Sequence, residues 1–308
     1  MPRPRRNTNP EYLRLVTIRT ECAQLLMVPG SELNETIGGI VAKYQEEFGI
    51  EIFAYMFLSN HYHLLIRAPK QNLWRFEQAL NREIAKRVNR IRKRDGHFWS
   101  RRYDEQIVLG NPASLTALLY IVCNAVKHRL VRDTARWPGV GCYFQLLDEQ
   151  DRLFYFMDYT AYRKARSRAR ITGEKVFLSD FKRQYRLRLS PLPMLSSLCK
   201  RKRRQILRSE IQRQTTLLNA EADREQHLYL GEKNILLQNP FSKPREVSRR
   251  NRPLCYTQDP LAKYNFLTDE HFPWNAMYER ASRSFRSGLL DAEFPPYAIK
   301  PPLLYLLK

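Results

Sequence analysis

The chain has 308 residues, with 53 Lys and Arg against 31 Asp and Glu, which gives a formal net charge of +22 and a pI near 10.0. A surplus of that size points to a polyanionic partner, most simply nucleic acid, with an anionic membrane surface as the lesser option. No apolar run approaches the ~18 residues of a membrane span, and the basic residues 1–6 have no apolar stretch behind them, which argues against a secretory signal and for a disordered arm.

Residues 12–20 alternate and are rich in β-formers, which predicts a first strand. Ser31 is placed to cap a helix running to Phe48, with Ile37, Ile40, Val41 and Tyr44 at helical spacing and Gly49 as its stop. Residues 51–58 and 61–67 read as two strands of a hairpin joined through Ser59 and Asn60. On a strand, residues two apart share a face, so His61 and His63 project one way and Tyr62, Leu64 and Ile66 the other. The apolar set predicts burial against helices. The two imidazoles then lie together on an open face, at a spacing that suits one divalent cation. The competing reading is two histidines that fell by chance on a solvated strand face.

Residues 71–94 predict a long helix whose apolar positions Leu73, Phe76, Leu80, Ile84, Val88 and Ile91 recur at three- and four-residue steps. Its other face carries Arg82, Lys86, Arg87, Arg90, Arg92, Lys93 and Arg94. With little acid nearby, a phosphate-contacting surface is favoured over a merely solvated one. Residues 103–109 read as a fourth strand. After Asn111-Pro112 a helix over 115–131 has the apolar stripe Leu115, Leu118, Leu119, Val122 and Val126. Tyr120 and Asn124 fall on the opposite side, one turn apart. A tyrosine that only filled the core would lie in the stripe. The order β-α-β-β-α-β and then a helix predicts a ferredoxin-like α+β fold, an antiparallel sheet with helices on one face and the histidine pair on the other.

Trp137-Pro138-Gly139 and Gly141 mark a break, and from about Asp151 the composition shifts. Residues 163–170 are dense in positive charge, residues 200–204 open a helical stretch to 226, and residues 241–260 have little periodicity. The tail ends in an apolar run over 303–307. The expected division is a site-bearing unit over 1–150 and a largely helical, basic region over 151–308 of unknown fold, for nucleic-acid binding or an accessory role. Cys22, Cys123, Cys142, Cys199 and Cys255 are scattered and form no Cys-x-x-Cys pair, which argues for reduced thiols in a cytoplasmic protein rather than a zinc module or a disulfide framework.

His61-Tyr62-His63 resembles the HUH motif (U being a bulky apolar residue) of single-tyrosine HUH transposases. Tyr120-Ile121-Val122-Cys123-Asn124-Ala125-Val126-Lys127-His128 resembles the tyrosine helix of their REP-associated branch, typically Tyr-Ile-x-x-Asn-Pro-Val-Lys/Arg. Gly96-His97-Phe98-Trp99-Ser100-Arg101-Arg102-Tyr103 resembles the segment that precedes that helix. The resemblance covers roughly residues 10–145, in the family's order, with two departures. Tyr62 replaces the usual aliphatic residue and brings a hydroxyl that needs a partner if buried, and Ala125 replaces the usual proline.

The resemblance implies an enzyme that cuts and rejoins single-stranded or hairpin DNA. Tyr120 would be the nucleophile of a 5′-phosphotyrosine intermediate, and His61, His63 and Asn124 would hold Mg²⁺ or Mn²⁺. Arg82, Lys86, Arg87, Arg90, Lys93, Arg94, Arg101, Arg102 and Lys127 are the expected nucleic-acid contacts. Lys127 and His128 lie near the same helix face, as phosphate ligands, proton carriers or plain surface groups. His97, Phe98 and Trp99 either stack a base or pack as an aromatic loop. Two other functions compete: a protein of the same fold that binds hairpin DNA or RNA without cutting, and a replication-initiator nickase. A relaxase is disfavoured because the tyrosine follows the histidine pair. The expected partner is DNA and not a membrane, with monomer and homodimer both open.

Overall fold

The protein is described by a computed structural model over residues 5–244 and 253–302; residues 1–4, part of the aperiodic 241–260 segment and the apolar run at 303–307 lie outside the described residues. Strand β1 (Arg14–Arg19) leads to helix α1 (Ser31–Phe48), the hairpin β2 (Glu51–Phe57) and β3 (His61–Arg67), helix α2 (Leu73–Ile91) and strand β4 (Asp104–Val108). The sheet runs β2-β3-β1-β4, and each neighbouring pair is antiparallel. This is the predicted ferredoxin-like α+β order.

Gly49 stops α1 in the left-handed region at φ +65°, donating to the carbonyls of Gln45 and Glu46. At the other end Ser31 does not cap: it begins the first turn, Gly30 is the capping position, and no side chain bonds the exposed amides. α1 and α2 pack together on one face of the sheet, where Ile37, Ile40, Val41, Phe76, Leu80, Ile84 and Val88 are buried. The helix expected over 115–131 is two pieces, α3 (Gly110–Val122) and α4 (Asn124–Lys127), broken at Cys123, whose ψ is 10°. α3 crosses the opposite face of the sheet, against β2 and β3.

The chain continues through α5 (Tyr143–Asp148), β5 (Arg152–Met157), α6 (Tyr159–Thr172), β6 (Lys182–Leu187), α7 (Lys200–Arg224), α8 (Glu232–Leu236), β7 (Cys255–Tyr256), α9 (Pro260–Asn265) and α10 (Phe272–Arg286). The division drawn at 150/151 is not a break in the core. The β5–β6 hairpin lies on α1, with Phe154 and Phe156 buried. α7 packs on α3, α4 and α5 through Leu207, Ile211 and Leu218, and Arg203 pairs with Glu149 at 2.9 Å. These side chains join one apolar cluster with Val16, Leu64 and Leu118. The composition shift marks where basic residues collect on the outside, while the apolar residues among them still cover α1 and α3. The basic N-terminal arm is also docked where it is described. Arg6 stacks 3.6 Å over the Tyr103 ring and pairs with Glu105, and Arg5 pairs with Glu279 of α10.

The approach of β5 to α1 depends on two glycines in the middle of the helix. A Cβ on Gly38 would lie 2.2 Å from the Phe154 ring, and one on Gly39 would lie 2.2 Å from the backbone oxygen of Tyr155. Replacing an exposed helical glycine by alanine stabilises by about 1 kcal/mol. Overpacking costs ~1–3 kcal/mol, and a backbone carbonyl cannot swing aside as a flexible side chain would. Gly39→Ala is therefore expected to lower the melting temperature, which calorimetry would read. A raised melting temperature would mean that β5 does not rest on α1.

Candidate active site

Strand β3 lies between β1 and β2 and presents two chemically different faces. On the α2 side Tyr62 is fully buried, and its hydroxyl lies 2.8 Å from Glu77 Oε2 and 2.9 Å from Asn81 Oδ1. Asn81 Nδ2 donates to Glu77 Oε2 at 2.9 Å. The hydroxyl that departs from the family pattern thus has its partners, and they come from one turn of α2. Desolvation by burial pushes the Glu77 carboxyl up to about 7, against the opposing hydrogen bonds from Tyr62 and Asn81 and the charge of Arg6. The Phe98-Trp99 segment closes over this network. Trp99 lies edge-on to Tyr62 at 5.7 Å and donates its indole N–H to Asn81 O. Phe98 is buried, so these two rings pack rather than offer a stacking platform.

On the other face His61 and His63 lie with their rings 4.9 Å apart and nearly perpendicular. They are not on an open face as predicted: they are only 6% and 2% exposed, because α3 and α4 lie across them. His63 is opposite Thr17 in the β1–β3 register, and its Nδ1 lies 2.6 Å from Thr17 Oγ1. His61 Nδ1 lies 2.6 Å from Asn60 Oδ1. Each Nδ1 thus faces a side-chain oxygen, the kind of contact that fixes the orientation of an imidazole ring.

The tyrosine helix supplies the facing side. The Tyr120 ring is 5.1 Å from the His63 ring, and Lys127 Nζ is 4.6 Å from the Tyr120 centroid. His128 brings a third imidazole 5.5 Å from His61. Asn124 Nδ2 lies 3.4 Å from Tyr120 O, while its Oδ1 is buried with no hydrogen-bond partner. The stripe expected on this helix is not what forms. Residues 117–119 and 121–126 are all buried, Asn124 included, because α7 covers the back of the helix. Tyr120 is the half-buried exception, and it opens into a cleft.

That cleft has a volume of about 1280 Å³ and is lined by His61, His63, Tyr120 and Lys127, with Arg101 and Arg102 on its rim. Its far wall comes from the end of the chain. β7 extends the sheet by pairing parallel with β4. It brings the Tyr256 ring 6.4 Å from that of Tyr120, and Tyr12, just before β1, donates its hydroxyl to Glu270. Burial pushes the Tyr256 phenol above its ordinary value. Nothing in the sequence around Tyr256 marks it, since it arrives from more than 130 residues away on a two-residue strand. Thr17, by contrast, could have been found from its strand alternation once the pairing partner was known.

The expected nucleic-acid contacts divide into three groups. Arg101, Arg102 and Lys127 are at the cleft. Arg82, Lys86 and Arg90 on α2, and Lys93 just past its end, are exposed on the far side of the sheet from Tyr120. Arg87 and Arg94 are engaged in structure: Arg87 pairs with Glu83 at 2.7 Å and donates to Met157 O, and Arg94 bonds Asn89 and the carbonyl of His97. Among the described residues no helix is long and apolar enough to cross a membrane.

Residues 19–122 match the family described as Transposase IS200 like. The matched segment contains His61, His63 and Tyr120. Among solved structures, a REP-associated tyrosine transposase bound to a REP hairpin is similar at 20% identity, covering 48% of this chain and 86% of that one, with a TM-score of 0.39. A protein described as a transposase from Deinococcus radiodurans R1 is similar at 20% identity, covering 30% of this chain and 75% of that one, with a TM-score of 0.26. No curated protein matches this chain.

The buried Glu77 has a measurable signature. Its folded-state value near 7 lies above that of an exposed carboxyl, so the folded state keeps a proton that the unfolded state has lost. The contribution of this group to stability is then full below about pH 4.5, falls as pH rises towards 7, and levels off above it. Glu77→Gln is expected to flatten this fall in a denaturant series run across that range. An unchanged pH dependence would show that Glu77 is ionised in the fold.

Proposed function

We propose that the protein cuts and rejoins one strand of single-stranded or hairpin DNA, with Tyr120 as the nucleophile. The observation that carries this reading is the convergence of Tyr120 and the His61–His63 pair inside one basic cleft, with Asn124 one turn further along the same helix segment and its buried amide oxygen without a hydrogen bond. A protein that only held a hairpin would need no phenol beside two oriented imidazoles. The match to a transposase family over residues 19–122 supports the same reading.

The donor set suits a divalent ion. Both imidazoles have Nδ1 against a side-chain oxygen, and the buried Oδ1 of Asn124 lacks a hydrogen bond that burial ordinarily demands. Among the described residues no three His, Cys, Asp or Glu side chains gather to hold a metal, so the set proposed is two imidazoles and an amide oxygen, which Mg²⁺ or Mn²⁺ accepts. Such an ion, when bound by His61, His63 and Asn124, would supply Lewis-acid polarisation of the scissile phosphate.

The residues of the chain do the rest. Tyr120 Oη attacks phosphorus and gives up its proton; the P–O3′ bond breaks, and the departing oxygen takes a proton to become a 3′-OH. The product is a 5′-phosphotyrosine. Lys127 places positive charge beside the phenol where negative charge develops. Arg101 and Arg102 offer positive charge to the flanking phosphates. Because the phosphodiester energy is kept in the covalent link, rejoining needs no nucleotide cofactor.

Cleavage of a labelled hairpin oligonucleotide tests the reading. Chelator is expected to stop cleavage while leaving binding nearly intact, and His63→Ala is expected to lower the rate by about 10²-fold or more. Tyr120→Phe is expected to bind with native affinity and to cut nothing. Cleavage at the native rate in chelator would remove the metal from the scheme, and cleavage by Tyr120→Phe would remove the tyrosine.

A further inference from the structure

Helix α6 has no buried residue. It is moored at its start by α2: Arg87 and Arg90 lie 5.0 and 4.9 Å over the Tyr159 ring. Its half-buried positions Ala161, Tyr162, Ala165 and Ala169 form one stripe, and Tyr162 meets Phe181 of the short turn at Leu178–Phe181 with rings 5.7 Å apart. The remaining face is mostly positive. Arg163, Lys164, Arg166, Arg168 and Arg170 are all exposed, and no acidic residue occurs within the helix. Among the described residues none of the five makes a salt bridge.

Such a helix is poorly designed as a mere surface. Arg163 and Arg166, Lys164 and Arg168, and Arg166 and Arg170 are like charges at three- and four-residue spacing, which repel one another. A bound polyanion removes that repulsion. The surface also continues onto α2, where Arg82, Lys86 and Arg90 are exposed at successive four-residue steps. α2 lies on the Tyr62 side of the sheet, whereas Tyr120 and the histidines are on the other. DNA held by α6 and α2 is therefore not the stretch whose phosphate meets Tyr120.

We propose that α6 and the exposed edge of α2 form a second nucleic-acid-binding surface, which grips the phosphate backbone of a duplex segment on the face of the protein opposite the cleft. The occupant follows from charge and shape. The 14 residues of α6 extend about 21 Å at 1.5 Å per residue, the length of roughly six base pairs at 3.4 Å along one strand. An anionic membrane is the poorer fit, because Ile171 is the only large apolar side chain on the outer face of α6 and gives no apolar stripe to insert. The surface does not depend on cleavage, so the proposal stands apart from the role given to Tyr120.

Binding of a fluorescent blunt duplex to the full chain, followed by anisotropy at several salt concentrations, tests this. Each phosphate contact adds about 0.9 to the slope of log affinity against log salt. Arg163→Gln/Arg166→Gln/Arg170→Gln is expected to reduce the slope by about 2 to 3 units, with an unchanged circular dichroism spectrum. Lys200→Gln/Arg201→Gln/Lys202→Gln removes the same charge from the exposed start of α7 and is expected to leave the slope near native. An α6 variant with the native slope would overturn the proposal. So would an equal fall in the α7 variant, which would reduce the effect to net charge. Loss of binding to anionic phospholipid vesicles by an α6 variant that keeps the duplex slope would assign the surface to a membrane instead.

Discussion

The placement of β3 constrains everything else in the site. Its side chains alternate between two environments that cannot be exchanged, and a slip of one residue would turn the imidazoles towards α2 and bury them without ligands. The hydroxyl of Tyr62 on Glu77 and Asn81 opposes that slip, because a fully buried phenol left without a partner costs ~1–3 kcal/mol. The pairing of His63 with Thr17 opposes it from the other side. The orientation of the histidine pair is thus held by a polar network on the face of the sheet that takes no part in chemistry.

Much of this geometry was legible in the sequence. The bounds of β3 and α1 follow from clean periodicity and from Gly49, and the facing of His61 and His63 away from Tyr62 follows from strand alternation alone. Other features were not legible, each for a physical reason. The break at Cys123 has no proline or glycine to announce it. The burial of Asn124 and of the histidines depends on α7 and on the packing of α3, which local spacing does not contain. The continuity of the core past residue 150 was masked by charge. Residues 163–170 are dense in positive charge, while Phe154 and Phe156, a few residues earlier, complete the packing of α1.

Positive charge is spread over both sides of the sheet, and the structure separates its uses. Arg87 and Arg203 hold elements together through Glu83 and Glu149. Arg101, Arg102 and Lys127 line the cleft. The exposed cations of α2 and α6 lie beyond both groups, on the outside of the helical layer. The net charge of +22 therefore describes several surfaces rather than one.

The cleft contains two neighbouring phenols, and the account depends on one of them. Tyr120 has Lys127 over its ring and His63 beside it, whereas burial disfavours the ionised form of Tyr256. The most direct measurement is to incubate the native protein with a cleavable hairpin oligonucleotide, denature it, digest both components and locate the nucleotide adduct by tandem mass spectrometry. The account predicts that the added 5′-phosphonucleotide mass lies on Tyr120 and nowhere else. An adduct on Tyr256, or cleavage with a free 5′-phosphate and no adduct under conditions where rejoining is blocked, would contradict it.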